Sequence, residues 1–348
     1  MRLATCEISG TVVAGVLGDD GLHLLPGDAT VLDLVRAGLP AALEIGARLL
    51  REPAVTLASA RFLPPLQPPS VRDFLAFEEH LEGVAAGFGA SVPPEWYQAP
   101  AFYFTHPNAL VGADHDVPIP PGSKLLDFEL EVAAVVGEDG SNLAPDQARA
   151  AIFGYTILND WSARDLQQRE MKVMLGPAKG KDFATTLGPW LVTADELEPY
   201  RDADGFLELD MRATINAVPV GQDLLSNMSW TFEELLGYAS RGTCVRAGDV
   251  LGSGTCGNGG CLAELWGRRG AIDPPPLQPG DIVELTVEGI GSIRNRVVAG
   301  PDLPPVIPAR ARSRARQASA LPVRSAARAA RSATAPAAGA AGDRRRPR

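Results

Sequence analysis

Glu129 and Glu131 are the two residues of this sequence most clearly placed for chemistry. They alternate with Phe128, Leu130 and Val132 in an apolar run, a pattern that predicts a β-strand with both carboxylates on one face. At about 3.3 Å of rise per residue, their side chains stand roughly 7 Å apart. Like charges on a buried face repel and lose hydration, so either one protonates or a cation lies between them. Because apolar residues flank the pair, we favour the cation over a solvated strand.

Asp160 adds a third carboxylate at the end of the next predicted strand, residues 155–159. Oxygen ligands from Glu129, Glu131 and Asp160 are typical of a hard-cation site for Mg²⁺, Ca²⁺ or Mn²⁺. Neither histidine nor cysteine adjoins these acids in the sequence, which disfavours zinc. The three carboxylates therefore predict a magnesium-type site even before any other residue is considered.

Composition limits the class of protein. The chain has 348 residues, of which 45% are hydrophobic, enough for one sizeable core with a smaller attachment. Its four cysteines lack a paired framework, which favours a reducing compartment, and Cys256 and Cys261 are spaced too widely for a zinc knuckle. Because the sequence has neither a signal-peptide pattern nor an apolar run of membrane-spanning length, the expected location is cytoplasmic, with no membrane partner.

The formal net charge of −10 is unevenly distributed. Residues 310–348 hold 11 arginines and one acidic residue, so the rest of the chain is near −20. A folded part so acidic argues against a nucleic-acid partner. From residue 301 the sequence consists mainly of Ala, Arg, Pro and Ser without periodicity, and we predict a disordered tail over residues 301–348.

The elements that must position the acids begin after a small N-terminal domain, predicted over residues 1–66. Apolar runs indicate strands at residues 3–8, 12–17 and 21–25, and helical spacing follows at residues 31–35 and 41–50. Four prolines within residues 64–69 impose an extended connection, which we take as the domain boundary. Residues 67–300 then form the catalytic domain.

This larger domain is predicted to be rich in strands. Apolar spacing places a helix over residues 72–88, so that Asp73 and His80 would lie two turns apart on one side. Further helices are predicted at residues 144–153 and 231–240. Strands are predicted at residues 207–216 and 219–221, and residues 261–266, 281–288 and 292–298 are predicted to complete an all-strand C-terminal part. Strands outnumber helices and no doubly wound pattern is present, which indicates an α+β, β-rich mixed fold.

Several motifs, taken together, resemble those of the fumarylacetoacetate hydrolase family. They follow in the order of the family across residues 66–300. The matching segments are Leu126-Asp127-Phe128-Glu129-Leu130-Glu131, Asn159-Asp160-Trp161-Ser162-Ala163-Arg164-Asp165 with Gln167, Gly180-Lys181 with Phe183 and Thr185-Thr186, Ser253-Gly254-Thr255, and Glu264 within residues 261–265. Several consecutive matches of exact type make this resemblance specific.

The resemblance implies a distorted, mixed β-roll behind a small N-terminal domain, and a homodimer. It also implies roles for eleven residues. Those that match metal ligands are Asp73, Glu129, Glu131 and Asp160; those that match catalytic residues are His80, its partner carboxylate Glu264, Arg164, Gln167 and Lys181; and those that match substrate contacts are Tyr103 and Thr255.

The implied activity is metal-dependent hydrolysis of a carbon–carbon bond in a β-diketo acid, such as fumarylacetoacetate or an acylpyruvate from aromatic catabolism. A divalent cation chelates the two oxygens of the 1,3-dicarbonyl and polarises one carbonyl, while His80 with Glu264 draws a proton from water. Arg164, Gln167 and Lys181 would lie against the developing oxyanion or the leaving enolate. From the residues alone, we favour a surface ion pair between Arg164 and its neighbour Asp165, and a solvated loop lysine at Lys181.

Two departures from the family pattern concern the substrate. Leu75 stands where the family has a tyrosine, and residues 81–94 contain no arginine that could bind a substrate carboxylate. Decarboxylation, isomerisation or hydration of a 2-oxo acid on the same metal site is the alternative activity. A non-catalytic binder of oxo acids is a third hypothesis, but a binder would not need His80, Lys181 and Glu264 together.

Overall fold

The computed structural model describes residues 1–310. The strands within this range are β1 (Arg2–Ile8), β2 (Thr11–Gly18), β3 (Gly21–Leu24), β4 (Arg61–Phe62), β5 (Val71–Phe74), β6 (Phe102–Thr105), β7 (Leu110–Val111), β8 (Val117–Pro118), β9 (Leu126–Asp127), β10 (Leu130–Val136), β11 (Ile152–Asp160), β12 (Ser162–Ala163), β13 (Thr185–Thr193), β14 (Asp210–Ile215), β15 (Val218–Leu224), β16 (Val250–Gly252), β17 (Ile282–Val287) and β18 (Gly291–Val298). The helices are α1 (Val31–Ala37), α2 (Leu39–Leu49), α3 (Glu78–Ala86), α4 (Pro145–Ala150), α5 (Arg164–Met171), α6 (Ala194–Leu197), α7 (Phe232–Ser240) and α8 (Leu262–Arg269). In the part of the chain described, no helix combines the length and the apolar character needed to cross a membrane.

A mixed sheet of eleven strands forms the centre of the described chain. Its order is β3-β2-β1-β13-β11-β10-β16-β5-β6, with β4 paired to β1 and β7 paired to β13. Strands β10 and β11 are buried along their whole length, as expected of strands that are covered on both faces. They pair antiparallel with Leu130 opposite Asn159, which brings the start of β10 next to the end of β11.

A second sheet of five strands, in the order β15-β14-β17-β18-β8, packs beside the first. Val283, Leu285 and Val287 alternate along β17 and are buried in the same apolar core as Val132 and Ala134 of β10. A separate two-stranded ribbon joins β9 and β12. These sheets and the short helices between them confirm the prediction of an α+β, β-rich mixed fold.

The N-terminal strands belong to the central sheet. Strand β1 pairs with β13, with Leu3 opposite Leu191, and Val31 and Val35 of α1 share an apolar core with Leu158 of β11. Residues 1–302 form one compact unit. The division into domains at residue 66 stays a prediction.

The helix predicted over residues 72–88 is wrong in its first half. Strand β5 pairs with β16 on one edge and β6 on the other, and all four of its residues are buried. The spacing of Phe74 and Phe77 fits a helix, but pairing on both edges satisfies the backbone of β5 in the sheet. Because α3 begins only at Glu78, Asp73 lies on a strand and His80 lies on a helix.

The all-strand prediction for the C-terminal part is wrong at residues 261–266. Helix α8 begins at Leu262, where the Cys261 side chain accepts a hydrogen bond from the backbone N–H of Glu264, and it ends at Gly270 in the left-handed conformation. A left-handed glycine is a common helix terminator, and this signal was available in the sequence. Helix α4 is also shorter than predicted, and α5 was not predicted.

The predicted disordered tail, residues 301–348, lies outside the described residues from position 311 onward. Residues 301–310 are exposed and belong to no helix or strand. We expect deletion of residues 301–348 to leave thermal stability and turnover close to those of the full chain, because the segment lacks apolar periodicity. Thermal melting of both proteins tests this, and a fall in Tm of more than about 4 °C would show that the segment stabilises the fold.

Candidate active site

Three carboxylates meet around strand β16 of the central sheet. Strand β16 lies between β10 and β5, and Gly252 is in register with Ala133 on one side and with Asp73 on the other. Glu131 lies on β10 and Glu129 directly precedes that strand. One oxygen atom from each of Asp73, Glu129 and Glu131 lies within 4.8 Å of the others. The predicted pair of glutamates is thus joined by Asp73 from a strand far away in sequence.

Asp160 lies beside this cluster, at the end of β11. Its Oδ2 accepts hydrogen bonds of 2.5 Å from the Tyr103 hydroxyl and from Lys181 Nζ. The same lysine donates to Glu129 Oε2, also at 2.5 Å. Lys181 is buried, so it belongs to the acidic cluster and is not the solvated loop lysine that the residues alone allowed.

Glu129 differs in pKa from the other acids of the cluster because two cations, Lys181 and Arg164, contact it. Burial, followed by the charge of a neighbouring carboxylate, raises the pKa of both Asp73 and Glu131 well above the usual range. Burial also opposes ionisation of Glu129, but Lys181 and Arg164 outweigh it and hold the pKa of Glu129 below its ordinary value. Asp73 and Glu131 are therefore the carboxyl groups of the cluster whose ionisation the protein's own cations compensate least.

The donor set fits a divalent cation. Oδ1 of Asp73, Oε2 of Glu131 and Oδ1 of Asp160 are buried and have no hydrogen-bond partner among the described residues. Buried oxygens without partners are rare in folded proteins, and a cation between Asp73 and Glu131 would satisfy the oxygens of these two residues. Because the four predicted ligands are all carboxylates, the set Asp73, Glu129, Glu131 and Asp160 suits Mg²⁺, Mn²⁺ or Ca²⁺ rather than a softer metal.

Because Gly252 has no side chain, two of these carboxylates can lie directly beside its backbone. A Cβ atom added to it would lie 2.6 Å from Asp73 Oδ1 and 2.9 Å from Glu131 Oε2. We expect Gly252→Ala to displace both oxygens and to weaken Mg²⁺ binding by about 10–100-fold, as changes next to metal ligands typically do. Calorimetric titration measures this effect. Gly237→Ala on α7, where a Cβ would meet only one backbone oxygen at 3.4 Å, is the control, and equal affinity in both variants would contradict the site.

Arg164 is the first residue of α5 and is buried rather than on the surface. Its Nη2 lies 2.7 Å from Asp127 Oδ2 and 2.8 Å from Glu129 Oε1, and its Nη1 donates to Gln167 Oε1 at 3.2 Å. Asp165, the alternative partner, accepts hydrogen bonds from a neighbouring loop instead. The guanidinium therefore lies against the acidic cluster, and Gln167 is held beside it.

Asp127 is the residue at this site to which sequence reasoning gave no role. Its carboxylate accepts hydrogen bonds from the backbone N–H groups of Leu262 at 2.8 Å and Ala263 at 2.9 Å, and from Arg164 Nε at 2.8 Å. A carboxylate at a helix N-terminus satisfies otherwise unpaired N–H groups. Asp127 thereby fastens α8, which carries Glu264, to Arg164, and its place in the acidic motif was the available signal.

His80 on α3 faces Glu264 on α8. His80 Nδ1 lies 3.9 Å from Glu264 Oε2, and both side chains are buried. The two helices can approach closely because Gly83 and Gly267 have no side chains. A Cβ atom at Gly83 would lie 2.3 Å from Glu264 Cγ, and one at Gly267 would lie 2.0 Å from the Gly83 carbonyl oxygen. Arg268 Nε donates to the other oxygen of Glu264 at 2.8 Å. The histidine and its partner carboxylate are thus side by side, as expected.

A cleft of about 1030 Å³ opens over the cluster. Nine of the eleven predicted site residues line it: Asp73, His80, Tyr103, Glu129, Glu131, Arg164, Gln167, Lys181 and Thr255. Asp160 and Glu264 do not line the cleft but contact residues that do. Thr255 Oγ1 lies 3.5 Å from Glu131 Oε1. The structure therefore brings all eleven residues into one site.

Comparison with known proteins points to one family. The family model described as fumarylacetoacetate (FAA) hydrolase C-terminal matches residues 70–298. A fumarylacetoacetase from Arabidopsis thaliana is 33% identical in an aligned part that covers 56% of this chain and 57% of the relative. An oxaloacetate tautomerase from Bacillus subtilis is 32% identical, over 49% of this chain and 52% of the relative. This chain thus spans little more than half the length of these two relatives.

A solved structure shares the fold. The maleylpyruvate hydrolase from Sphingobium sp. SYK-6, crystallised with manganese(II) and pyruvate, has a TM-score of 0.63 with this chain and covers 86% of it, and this chain covers all of that structure. The sequence identity is 20%, so the likeness concerns the fold. The cleft and its carboxylates lie within the region that the family model matches.

Proposed function

The chain belongs to the fumarylacetoacetate hydrolase family, and on that premise we propose that it is a divalent-metal-dependent hydrolase. Its substrate would be a β-diketo acid of the acylpyruvate or fumarylacetoacetate type. Relatives with the same matched region or fold carry names of hydrolases, isomerases and a tautomerase, so the reaction has to be argued from the site.

The observation that carries the proposal is the position of His80. It lines the same cleft as Asp73, Glu129 and Glu131, and the fully buried Glu264 lies 3.9 Å from its Nδ1. A buried carboxylate beside an imidazole stabilises the ring after it has accepted a proton. Hydrolysis needs such a base for water, whereas tautomerisation or decarboxylation through an enolate does not require one.

The substrate would bind with its dicarbonyl end against the carboxylate cluster. A cation held by Asp73, Glu129, Glu131 and Asp160 would supply Lewis-acid polarisation of the substrate carbonyls. Lys181 and Arg164 neutralise Glu129 and lie where negative charge develops during the reaction, and preformed donors are most effective at such positions. Burial of these donors excludes the water that would otherwise screen them.

The bond changes can be written in full. His80 removes a proton from water as the water oxygen attacks the acyl carbonyl carbon, and the bond between that carbon and the central carbon then breaks. The electron pair of the broken bond remains with the leaving oxo acid as its enolate, which takes up a proton. From an acylpyruvate the products are the carboxylic acid derived from the acyl group and pyruvate, and from fumarylacetoacetate they are fumarate and acetoacetate.

A panel assay tests the proposal. Purified protein with Mg²⁺ is incubated with acylpyruvates, and loss of the enol absorbance is followed together with the products formed. We expect equal amounts of a carboxylic acid and pyruvate, and no reaction when EDTA removes the metal. Release of carbon dioxide would instead indicate a decarboxylase, and keto–enol exchange without cleavage would indicate a tautomerase.

Three further properties are proposed on the family resemblance or composition alone. They are a homodimeric assembly, a cytoplasmic location, and a catalytic domain over residues 67–300 that follows a small domain over residues 1–66. Sedimentation of the purified chain tests the first of these directly.

A further inference from the structure

The cleft extends well beyond the charged site. Its volume of about 1030 Å³ lies at the upper end of the range for small-molecule sites, about 300–1,000 Å³. The polar residues described above occupy one part of its wall. The remaining wall is formed mainly by apolar side chains from several elements: Leu75, Leu81, Val84, Phe88, Phe102, Leu125, Met171, Trp266 and Ile272.

These apolar residues continue from the catalytic pair outwards. Val84 lies one helical turn after His80 on α3, so the two side chains share one face of the helix. Trp266 on α8 borders the cleft with its ring, while its Nε1 donates to the carbonyl oxygen of Pro274 at 2.6 Å. Farther out, Phe88 is 69% exposed. A mainly apolar path therefore leads from His80 along α3 to the exposed Phe88.

Positive charge is scarce along this path. Among the described residues that line the cleft, the cationic side chains are Arg164, Lys172 and Lys181. Arg164 and Lys181 are bound to buried carboxylates. Lys172 is exposed at the end of α5, and an ion pair with an exposed lysine contributes at most about fivefold to affinity.

We propose that this apolar path binds the acyl group of the substrate, so that the enzyme prefers acylpyruvates with an uncharged alkyl or aryl group over those with a second carboxylate. The inference rests on the proposed function, because that function places the dicarbonyl end at the carboxylate cluster. Each methylene buried against such a wall raises affinity by about fourfold. A carboxylate buried there without a partner opposes binding.

A matched pair of substrates tests the preference. Hexanoylpyruvate and adipoylpyruvate have acyl chains of equal length, and the second ends in a carboxylate. We expect kcat/KM to be about 100-fold or more higher for hexanoylpyruvate, and to rise about fourfold per methylene from acetylpyruvate upwards until the path is filled. Equal values, or a preference for adipoylpyruvate, would overturn the inference.

Variants of residues that line the cleft test whether the apolar path causes the preference for hexanoylpyruvate. Val84→Arg should lower kcat/KM for hexanoylpyruvate and raise it for adipoylpyruvate, whereas the uncharged control Val84→Met should leave the order of preference unchanged. Lys172→Ala should change kcat/KM for adipoylpyruvate by no more than about fivefold. A larger loss in Lys172→Ala would show that this lysine recognises a second carboxylate and would contradict the inference.

Binding separates this inference from the proposed reaction. With Mg²⁺ present, calorimetry compares the binding of 2-oxooctanoate with that of 2-oxooctanedioate. Neither compound has the 1,3-dicarbonyl unit that hydrolysis requires. Tighter binding of 2-oxooctanoate without turnover of any acylpyruvate would refute the hydrolase and support the apolar path. Turnover with a preference for adipoylpyruvate would support the hydrolase and refute the path.

Discussion

Replacing Glu131 with glutamine is expected to weaken Mg²⁺ binding by about 100-fold or more and to remove activity with it. Affinity for a hard cation depends strongly on the number of charged ligands, and Glu131 is fully buried beside Asp73 and Glu129. Calorimetric titration with Mg²⁺ and Mn²⁺ measures the loss. Glu138→Gln, at an exposed glutamate just after β10, should bind the metal like the parent protein.

A second measurement separates lost binding from lost folding. Magnesium that binds only the native protein raises its stability, by about 2.7 kcal/mol at a concentration of 100 times Kd. We therefore expect Mg²⁺ to raise the Tm of the parent protein and to leave the Tm of Glu131→Gln unchanged. In EDTA the variant should melt no lower than the parent protein, because the neutral amide removes repulsion from Asp73. A variant that keeps the magnesium-induced rise would contradict the metal site.

Replacing His80 with alanine is expected to lower kcat by about 10²–10⁴-fold, the usual effect of removing a general base. Metal affinity should stay close to that of the parent protein, because no carboxylate of the cluster is changed. KM should change far less than kcat, because the lost contribution is made mainly in the transition state. Steady-state kinetics on the best acylpyruvate gives both values.

Two further variants define the role of His80. His106→Ala removes an exposed histidine that does not line the cleft and should leave kcat unchanged. Glu264→Gln keeps the shape of the side chain but removes the charge beside the imidazole, so kcat should again fall. A kcat near that of the parent protein in both His80→Ala and Glu264→Gln would eliminate the histidine–glutamate pair and favour an enolate-forming reaction.

The grouping of the candidate metal ligands could be largely predicted because its signal is local. Glu129 and Glu131 alternate within one apolar run, and Asp160 ends the strand that pairs with it. Asp73 was assigned by resemblance, and the helix predicted around it was wrong because apolar spacing over a few residues does not separate a buried strand and turn from a helix. Its sheet partners, β16 and β6, are distant in sequence, and local patterns carry no information about them.

The proximity of His80 to Glu264 depends on tertiary packing. His80 and Glu264 meet because glycines at positions 83 and 267 let α3 and α8 approach, and Glu264 was assigned to a segment predicted as strand. Asp127 received no role because its partners are backbone N–H groups of a helix that had not been predicted. The family resemblance predicted that His80 and Glu264 lie together, and the close approach of α3 and α8 explains why they do.

The cleft explains the two departures from the family pattern, at Leu75 and in residues 81–94. Leu75, Leu81, Val84 and Phe88 line its apolar path. The sequence indicated only that a carboxylate-binding arginine was missing from residues 81–94. It did not show that the same segment supplies a wall for an apolar group, because that depends on how α3 packs against α8.

The measurement that tests the central claim most directly is turnover of an acylpyruvate in H₂¹⁸O with Mg²⁺, followed by mass spectrometry of the products. If His80 activates water for attack on the acyl carbonyl, one labelled oxygen must appear in the carboxylate of the released acyl acid, in an amount equal to the pyruvate formed. Loss of substrate with no labelled acyl acid, whether through carbon dioxide release or through tautomerisation alone, would contradict the hydrolase.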